Sequence, residues 1–298
     1  MSGVRRFEHA VLQVTDRDAA VAFYTDVLGL VELERENGTV YLGCGLDGNY
    51  DVGLTEDGTG IEHFAIRVES ADELARYESR LQAADIDTER ADGAEPNQVE
   101  GVRFTLPTGV DMELVTVADR RYHHPTDAVE NRSPAAPHDV DHINLMSWDV
   151  ERDLEVLVDP LEFAVSDEIV GETGFTMQAW TRSGELHHDV ALSTADNVAY
   201  TLHHLSFEVD GVEHMKTICD RVAQAGHRLE LGLNRHNAGA NDFAYLWTPG
   251  GNRIELTAEM ATVDASAETA VREIDRTTNT VSSWGGVEPT PEFLEKGS

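Results

Sequence analysis

The chain repeats itself, and the repeat restricts it to a fold made by doubling. FEHAVLQV at 7–14 returns as VDHINLMS at 140–147, and IEHFAIRV at 61–68 returns as LHHLSFEV at 202–209. NYDVGL at 49–54 parallels HHDVAL at 187–192, and LPTGVDMEL at 106–114 parallels WTPGGNRIEL at 247–256 with a one-residue shift. Two halves of like design follow, residues 5–118 and 139–261. A Pro- and polar-rich linker over 119–138 joins them, and a polar tail over 262–298 follows, expected to wrap the surface and assigned no chemistry. Each half divides again into two units. A unit is a short strand, an amphipathic helix such as RDAAVAFYTDVLG or SADELARYESRLQAA, and then short strands bounded by Gly and Asp. The expectation is an α+β chain of four βαβββ units in two tandem pairs.

Strand parity then selects side chains. In the run from Asp141 to Leu145, His142 and Asn144 share one face while Ile143 and Leu145 share the other. His204 lies on the polar face of its strand, and Glu255 lies opposite the apolar pair Ile254 and Leu256. A single histidine on a strand is ordinarily a solvated or core residue. Three such placements in one half, each at a repeat-equivalent position, point instead to a metal site. Two imidazoles and one carboxylate hold Fe(II) or Mn(II) on one face and leave coordination positions open. His203 competes with His204, but IEHFAI aligned with LHHLSF sets His63 opposite His204, and parity turns His203 to the other face. The stretch Asn234–Glu255 adds His236 and Tyr245 around a Pro249-Gly250-Gly251 turn, so proton-handling groups arrive beside the carboxylate.

AFYTDVLGLVELE, after the first strand, strongly resembles the vicinal-oxygen-chelate superfamily of paired βαβββ modules. That superfamily includes glyoxalase I, bleomycin-resistance proteins and type I extradiol ring-cleaving dioxygenases. The two-half length and the Asn234–Glu255 segment are similar to the dioxygenase branch, and the resemblance covers about residues 5–261. It implies two domains, each a half-open mixed β-barrel with helices outside. It implies a catechol 2,3-dioxygenase-like enzyme that cleaves an aromatic diol beside its hydroxyls with O2, using Fe(II) or, second, Mn(II). It gives His188 the acid–base role beside dioxygen and sets His236 and Tyr245 against the diol oxygens. His187 is the rival of His188, which directly precedes the Asp-Val-Ala-Leu strand as in the family. It further implies self-association into a homo-oligomer. Ala244 departs from the family's bulky apolar residue before the tyrosine, which bears on pocket shape. Two rival readings remain. A glyoxalase I-like lyase or isomerase usually needs a second carboxylate in place of one histidine, and a non-catalytic small-molecule binder needs no triad.

The first half keeps His9, His63 and Glu113 at the places of His142, His204 and Glu255, but Tyr50 stands for His188 and Arg103 for Tyr245. No histidine between His63 and Glu113 matches His236. The first half is therefore expected to be non-catalytic, its polar set a relic of duplication satisfied by hydrogen bonds, with a second metal site on His9, His63 and Glu113 as the alternative. His123, His124, His138, His214 and His227 show no ligand spacing. Trp148, Phe175, Met177, Trp180 and Phe243 suit either an aromatic pocket or the core.

Composition narrows the setting. With 56 acidic against 22 basic residues the formal charge is −34, which repels nucleic acid and anionic membranes. The acidic residues are spread along the chain, as on a heavily hydrated surface suited to high salt, so a halophilic host and loss of activity in dilute buffer are expected. Two distant cysteines do not make a disulfide framework, and no run reaches transmembrane length. A cytoplasmic, soluble protein is the expectation.

Overall fold

Alternating runs become strands, and one amphipathic helix interrupts each set. The computed structural model describes residues 6–119, 128–264, 270–275, 277–286 and 288–298. The first unit is β1 (Arg6–Gln13), α1 (Arg17–Ala22, continued as a π turn over Phe23–Leu28), β2 (Val31–Glu36), β3 (Thr39–Gly43) and β4 (Val52–Thr55). The second is β5 (Gly60–Arg67), α2 (Ala71–Ala83), β6 (Glu89–Arg90), β7 (Gln98–Thr105) and β8 (Asp111–Val117). The third is β9 (Asp139–Ser147), α3 (Val150–Val158), β10 (Ala164–Val170), β11 (Thr176–Arg182) and β12 (Val190–Thr194). The fourth is β13 (Leu202–Glu208), α4 (Val212–Gln224), β14 (Leu231–Arg235), β15 (Asp242–Trp247) and β16 (Arg253–Ala258). The tail adds β17 (Arg272–Glu273) and α5 (Pro291–Glu295).

Local chemistry sets the helix ends. Ser70 caps α2 by accepting the Glu73 amide at 3.2 Å, and Leu74, Tyr77 and Leu81 form its buried stripe. The π turn after α1 stops at Gly29, whose φ of 90° suits glycine and where a Cβ would lie 2.7 Å from Ser133 Cβ.

The first sheet runs β2-β3-β4-β1-β5-β8-β7-β6 and the second β14-β15-β16-β13-β9-β12-β11-β10-β17. In each half the opening strands of the two units pair antiparallel at the centre, β1 with β5 and β9 with β13. Each also pairs parallel with the last strand of its own unit. The result is the mixed-sheet α+β design of four βαβββ units. Helix stripes such as Leu74, Tyr77, Met215 and Ile218 join Phe7, Phe64, Ile143 and Phe207 in one apolar core that runs through both halves. Polar bonds seal the join: Asn252 Nδ2 donates to Gln13 O at 2.7 Å, Arg221 Nε to Val27 O at 2.7 Å, and Thr108 Oγ1 to Asp153 Oδ2 at 2.6 Å. Among the described residues no helix is long and apolar enough to cross a membrane.

Candidate metal centre

The three central strands of the second sheet bring the triad together by register. Ser206 of β13 stands opposite His142 on one side and Glu255 on the other, and His204 lies two residues earlier on the same strand. His142 Nε2 is 3.3 Å from His204 Nε2 and 3.0 Å from Glu255 Oε2, and His204 Nε2 is 3.1 Å from that same oxygen. Metal–ligand bonds of about 2.1 Å at right angles hold neighbouring ligand atoms about 3 Å apart. The three atoms thus have the spacing of one face of a coordination sphere, and the donor set suits a divalent first-row cation.

The electrostatics agree with a closely coupled set. Burial alone would raise the Glu255 carboxyl, but the surrounding imidazoles of His142, His204 and His236 hold it well below the carboxylate range. Burial would lower His142, yet Asp141 and Glu255 outweigh it and push it up to about 10. At His204 burial wins and lowers the imidazole to about 4, Glu255 offsetting only part. Cation binding here is therefore coupled to loss of the His142 proton. Asp141 Oδ1 lies 3.0 Å from His142 Nδ1, within ion-pair distance although not aligned as a hydrogen bond.

His204 is oriented by a chain that parity does not show. The Phe293 carbonyl lies 3.0 Å from His203 Nε2 and only accepts, so that nitrogen carries the hydrogen. Neutral His203 then has a lone pair on Nδ1, 2.6 Å from His204 Nδ1, which must donate. That leaves the His204 Nε2 lone pair facing Glu255 and His142. Burial and the Arg253 charge hold His203 well below its ordinary pKa, which keeps it neutral. The expectation that His203 turns to the other face fails, because the β9–β13 register shifts between Leu202 and His204. Both histidines border the cavity.

His188, His236 and Tyr245 also line that cavity. The His188 ring lies 4.3 Å from the His142 ring, whereas His187 turns away to Asp167 at 3.2 Å. His236 stacks on Phe243 at 3.9 Å, and its Nδ1 lies 3.1 Å from the Val281 carbonyl, which can only accept. Its Nε2 therefore receives the Tyr245 hydroxyl at 2.9 Å when the ring is neutral. Burial, then Glu255, pushes the Tyr245 phenol well above its ordinary pKa, so it stays a donor. Asn241 Nδ2 joins Glu255 Oε1 at 3.3 Å to Thr257 Oγ1 at 2.8 Å, a support that no sequence pattern marks.

Of the other aromatic candidates, Trp180 lines the cavity and Phe243 backs His236. Trp148 and Met177 are exposed, and Phe175 does not line it. The tail, expected only to cover surface, contributes Thr280, Val281, Phe293 and Leu294 to the wall. Arg253 holds it there: fully buried, it donates to Glu230 twice, at 2.7 and 2.9 Å, and to Lys296 O at 2.9 Å. The pocket is partly open, its wall shared between the second sheet and the tail.

The first half gathers His9, His63 and Glu113 as the repeat predicts, and a fourth group, Glu95, that the repeat does not. Outside both clusters, His138 and His214 meet exposed Asp210 at 3.4 and 3.5 Å, a grouping their spacing did not suggest. The His227 ring packs edge-on against Phe23 at 5.0 Å. His123 and His124 lie outside the described residues.

Known proteins resemble the chain throughout its length. Residues 139–256 match the model of the Glyoxalase/Bleomycin resistance protein/Dioxygenase superfamily, and residues 61–120 that of the catechol 2,3-dioxygenase-like N-terminal domain. A manganese-dependent 2,3-dihydroxybiphenyl 1,2-dioxygenase of Geobacillus genomosp. 3 is 23% identical over 85% of this chain and 84% of its own length. A metapyrocatechase of Geobacillus stearothermophilus is 24% identical over 95% and 90%. Homoprotocatechuate 2,3-dioxygenase of Brevibacterium fuscum superposes with a TM-score of 0.86 at 24% identity, covering 100% of this chain and 93% of that one.

Proposed function

We propose, from the match of residues 139–256 to the glyoxalase/bleomycin resistance protein/dioxygenase superfamily and of residues 61–120 to the catechol 2,3-dioxygenase-like N-terminal domain, that the chain is an extradiol dioxygenase that opens a catechol-type diol beside its hydroxyls with O2. Residues 139–261 form the catalytic domain and 5–118 a non-catalytic partner, with 119–138 as linker. The observation that carries the reading is the convergence of His142 Nε2, His204 Nε2 and Glu255 Oε2 within 3.0–3.3 Å, with His188, His236 and Tyr245 around the same cavity. A divalent cation on those three atoms would supply Lewis-acid acidification of the diol and open positions for the diol and dioxygen. Fe(II) is the proposed ion and Mn(II) the second, both suited to these ligands, and one relative is named as manganese-dependent.

The side chains divide the proton work. Burial and the nearby His142 and His187 keep His188 proton-free, well below its ordinary pKa, so it takes a diol proton and returns it as the O–O bond breaks. Tyr245, kept protonated, and His236 hydrogen-bond the diol oxygens and fix the ring's orientation. The buried walls exclude bulk water from the proton that His188 holds. Both oxygen atoms enter the ring-opened product, and no external reductant is consumed. Free Cys44 and Cys219 fit a reducing cytoplasm as its place of work.

The test is aerobic spectrophotometry of ferrous- and manganous-loaded protein with catechol, 2,3-dihydroxybiphenyl and protocatechuate. A yellow ring-fission product with matching oxygen uptake is expected for at least one. Colourless mixtures with all three, under both metals, overturn the reading.

A further inference from the structure

The first half repeats the triad geometry closely. His9 stands two register steps from His63 across β1–β5, through Ala65, as His142 does from His204 through Ser206. Tyr50 lies over His9 with ring centres 4.3 Å apart, the separation of His188 from His142. Glu95, from the β6–β7 connection, brings a carboxylate that the second half lacks, with Oε2 3.3 Å from His9 Nε2 and Oε1 3.2 Å from His63 Nε2. One ligand atom from each of His9, His63, Glu95 and Glu113 falls within 4.8 Å of the others. His9 Nε2 is buried here without an aligned hydrogen bond, within ion-pair distance of Glu95.

One side chain occupies the middle. Arg103 Nη2 is 3.2 Å from His63 Nε2, 3.2 Å from Glu113 Oε2 and 3.4 Å from Glu95 Oε1. A single guanidinium nitrogen thus meets three of the four candidate donors. It delivers positive charge to two buried carboxylates but cannot be coordinated by them. Across β7–β8 Arg103 pairs with Glu113, the register place where neutral Tyr245 pairs with Glu255. The Arg103 side chain is 27% exposed while His63 and Glu113 are at most 1%, so it fills the cage from the solvent side.

We propose that His9, His63, Glu95 and Glu113 form a latent divalent-cation site that the Arg103 guanidinium keeps closed. Removing that one side chain leaves two imidazoles and two carboxylates of matching charge for a first-row cation.

The test counts metal, independently of ring cleavage. In a His204→Ala background, where the second-half triad is broken, protein equilibrated with Mn(II) or Co(II) and desalted is analysed for bound metal. With Arg103 present the expected content is near zero, and with Arg103→Ser it rises to one ion per chain. Adding His63→Ala returns it to zero, and Arg103→Lys, which keeps the charge, stays near zero. Arg103→Met carries the same test should the serine variant not fold. An ion bound while Arg103 is intact, or none in a folded Arg103→Ser or Arg103→Met protein, overturns the proposal. Failure of the second-half triad to bind metal in the parent would refute the proposed function while leaving this count meaningful.

Discussion

Opposite the strand glutamate, the second half carries Tyr245 and the first half Arg103. Two residues earlier on the same strands, Phe243 backs His236 in the second half, whereas the first half has Gly101. A Cβ at Gly101 would lie 2.3 Å from both Gln98 Nε2 and Glu113 Oε1, so the glycine makes room for a 2.6 Å amide–carboxylate bond. The strands and the histidine register are alike in both halves. An amide meets the glutamate in both halves, Gln98 in the first and Asn241 in the second. What differs is the positive charge: a fixed guanidinium in one half and a cation in our reading of the other. The scaffold is alike in the two halves, and in this reading a few side chains decide which copy is open to a metal.

The largest expected contrast is between the two glutamates. Glu255→Gln should remove bound metal and lower ring cleavage by more than about a thousandfold, since a metal supplies several kcal/mol of charge stabilisation. Glu113→Gln should leave activity within about twofold. Equal losses would mean that the halves are not functionally distinct. Next comes the pair His188 and Tyr50. His188→Ala should cost about 10²–10⁴-fold in turnover with metal content unchanged, the range for a lost acid–base group, and Tyr50→Phe should cost nothing measurable. Loss of metal in His188→Ala would instead make it a ligand.

The contrast also shows what could be read in advance. Strand parity and the repeat point to His142, His204 and Glu255, and the structure brings them together because Ser206 of β13 stands in register with both His142 and Glu255. Parity misled at His203 because a bulge at the start of β13 puts consecutive residues on one side, a shift that leaves no mark in LHHLSF. Glu95 reaches the first-half cage from the β6–β7 connection, the counterpart of the β14–β15 connection that carries His236, and the two connections share no sequence likeness that would mark a carboxylate there. Phe293 and Val281 were illegible for a related reason. They act through backbone carbonyls that any residue has, and only the path of the tail brings those carbonyls to His203 and His236.

A smaller effect tests that orientation chain. His203→Leu keeps bulk but loses the link from the Phe293 carbonyl to His204, and metal affinity should fall about 10–100-fold, as for other groups that orient a ligand. Unchanged affinity in a titration would show that His204 needs no such support. The smallest prediction concerns acidity in the first half. Burial, then Asp139, raises the Asp47 carboxyl to about 7, with the Asn49 amide offsetting part. The unfolded chain releases this proton near 4 and the folded chain only near 7, so stability is fully present below 4 and is lost as pH rises through 7. Asp47→Asn should therefore melt about 2–4 °C higher than the parent at pH 8, a gain that vanishes toward pH 4. A pH-independent difference would remove Asp47 as the titrating group.

The most direct measurement is anomalous diffraction from manganese-loaded crystals collected at the metal's absorption edge. The account predicts one strong peak per chain, about 2.1 Å from His142 Nε2, His204 Nε2 and a Glu255 carboxylate oxygen, and none beside Arg103. A peak in the first-half cage of the parent protein, or no density among those three side chains, would contradict it.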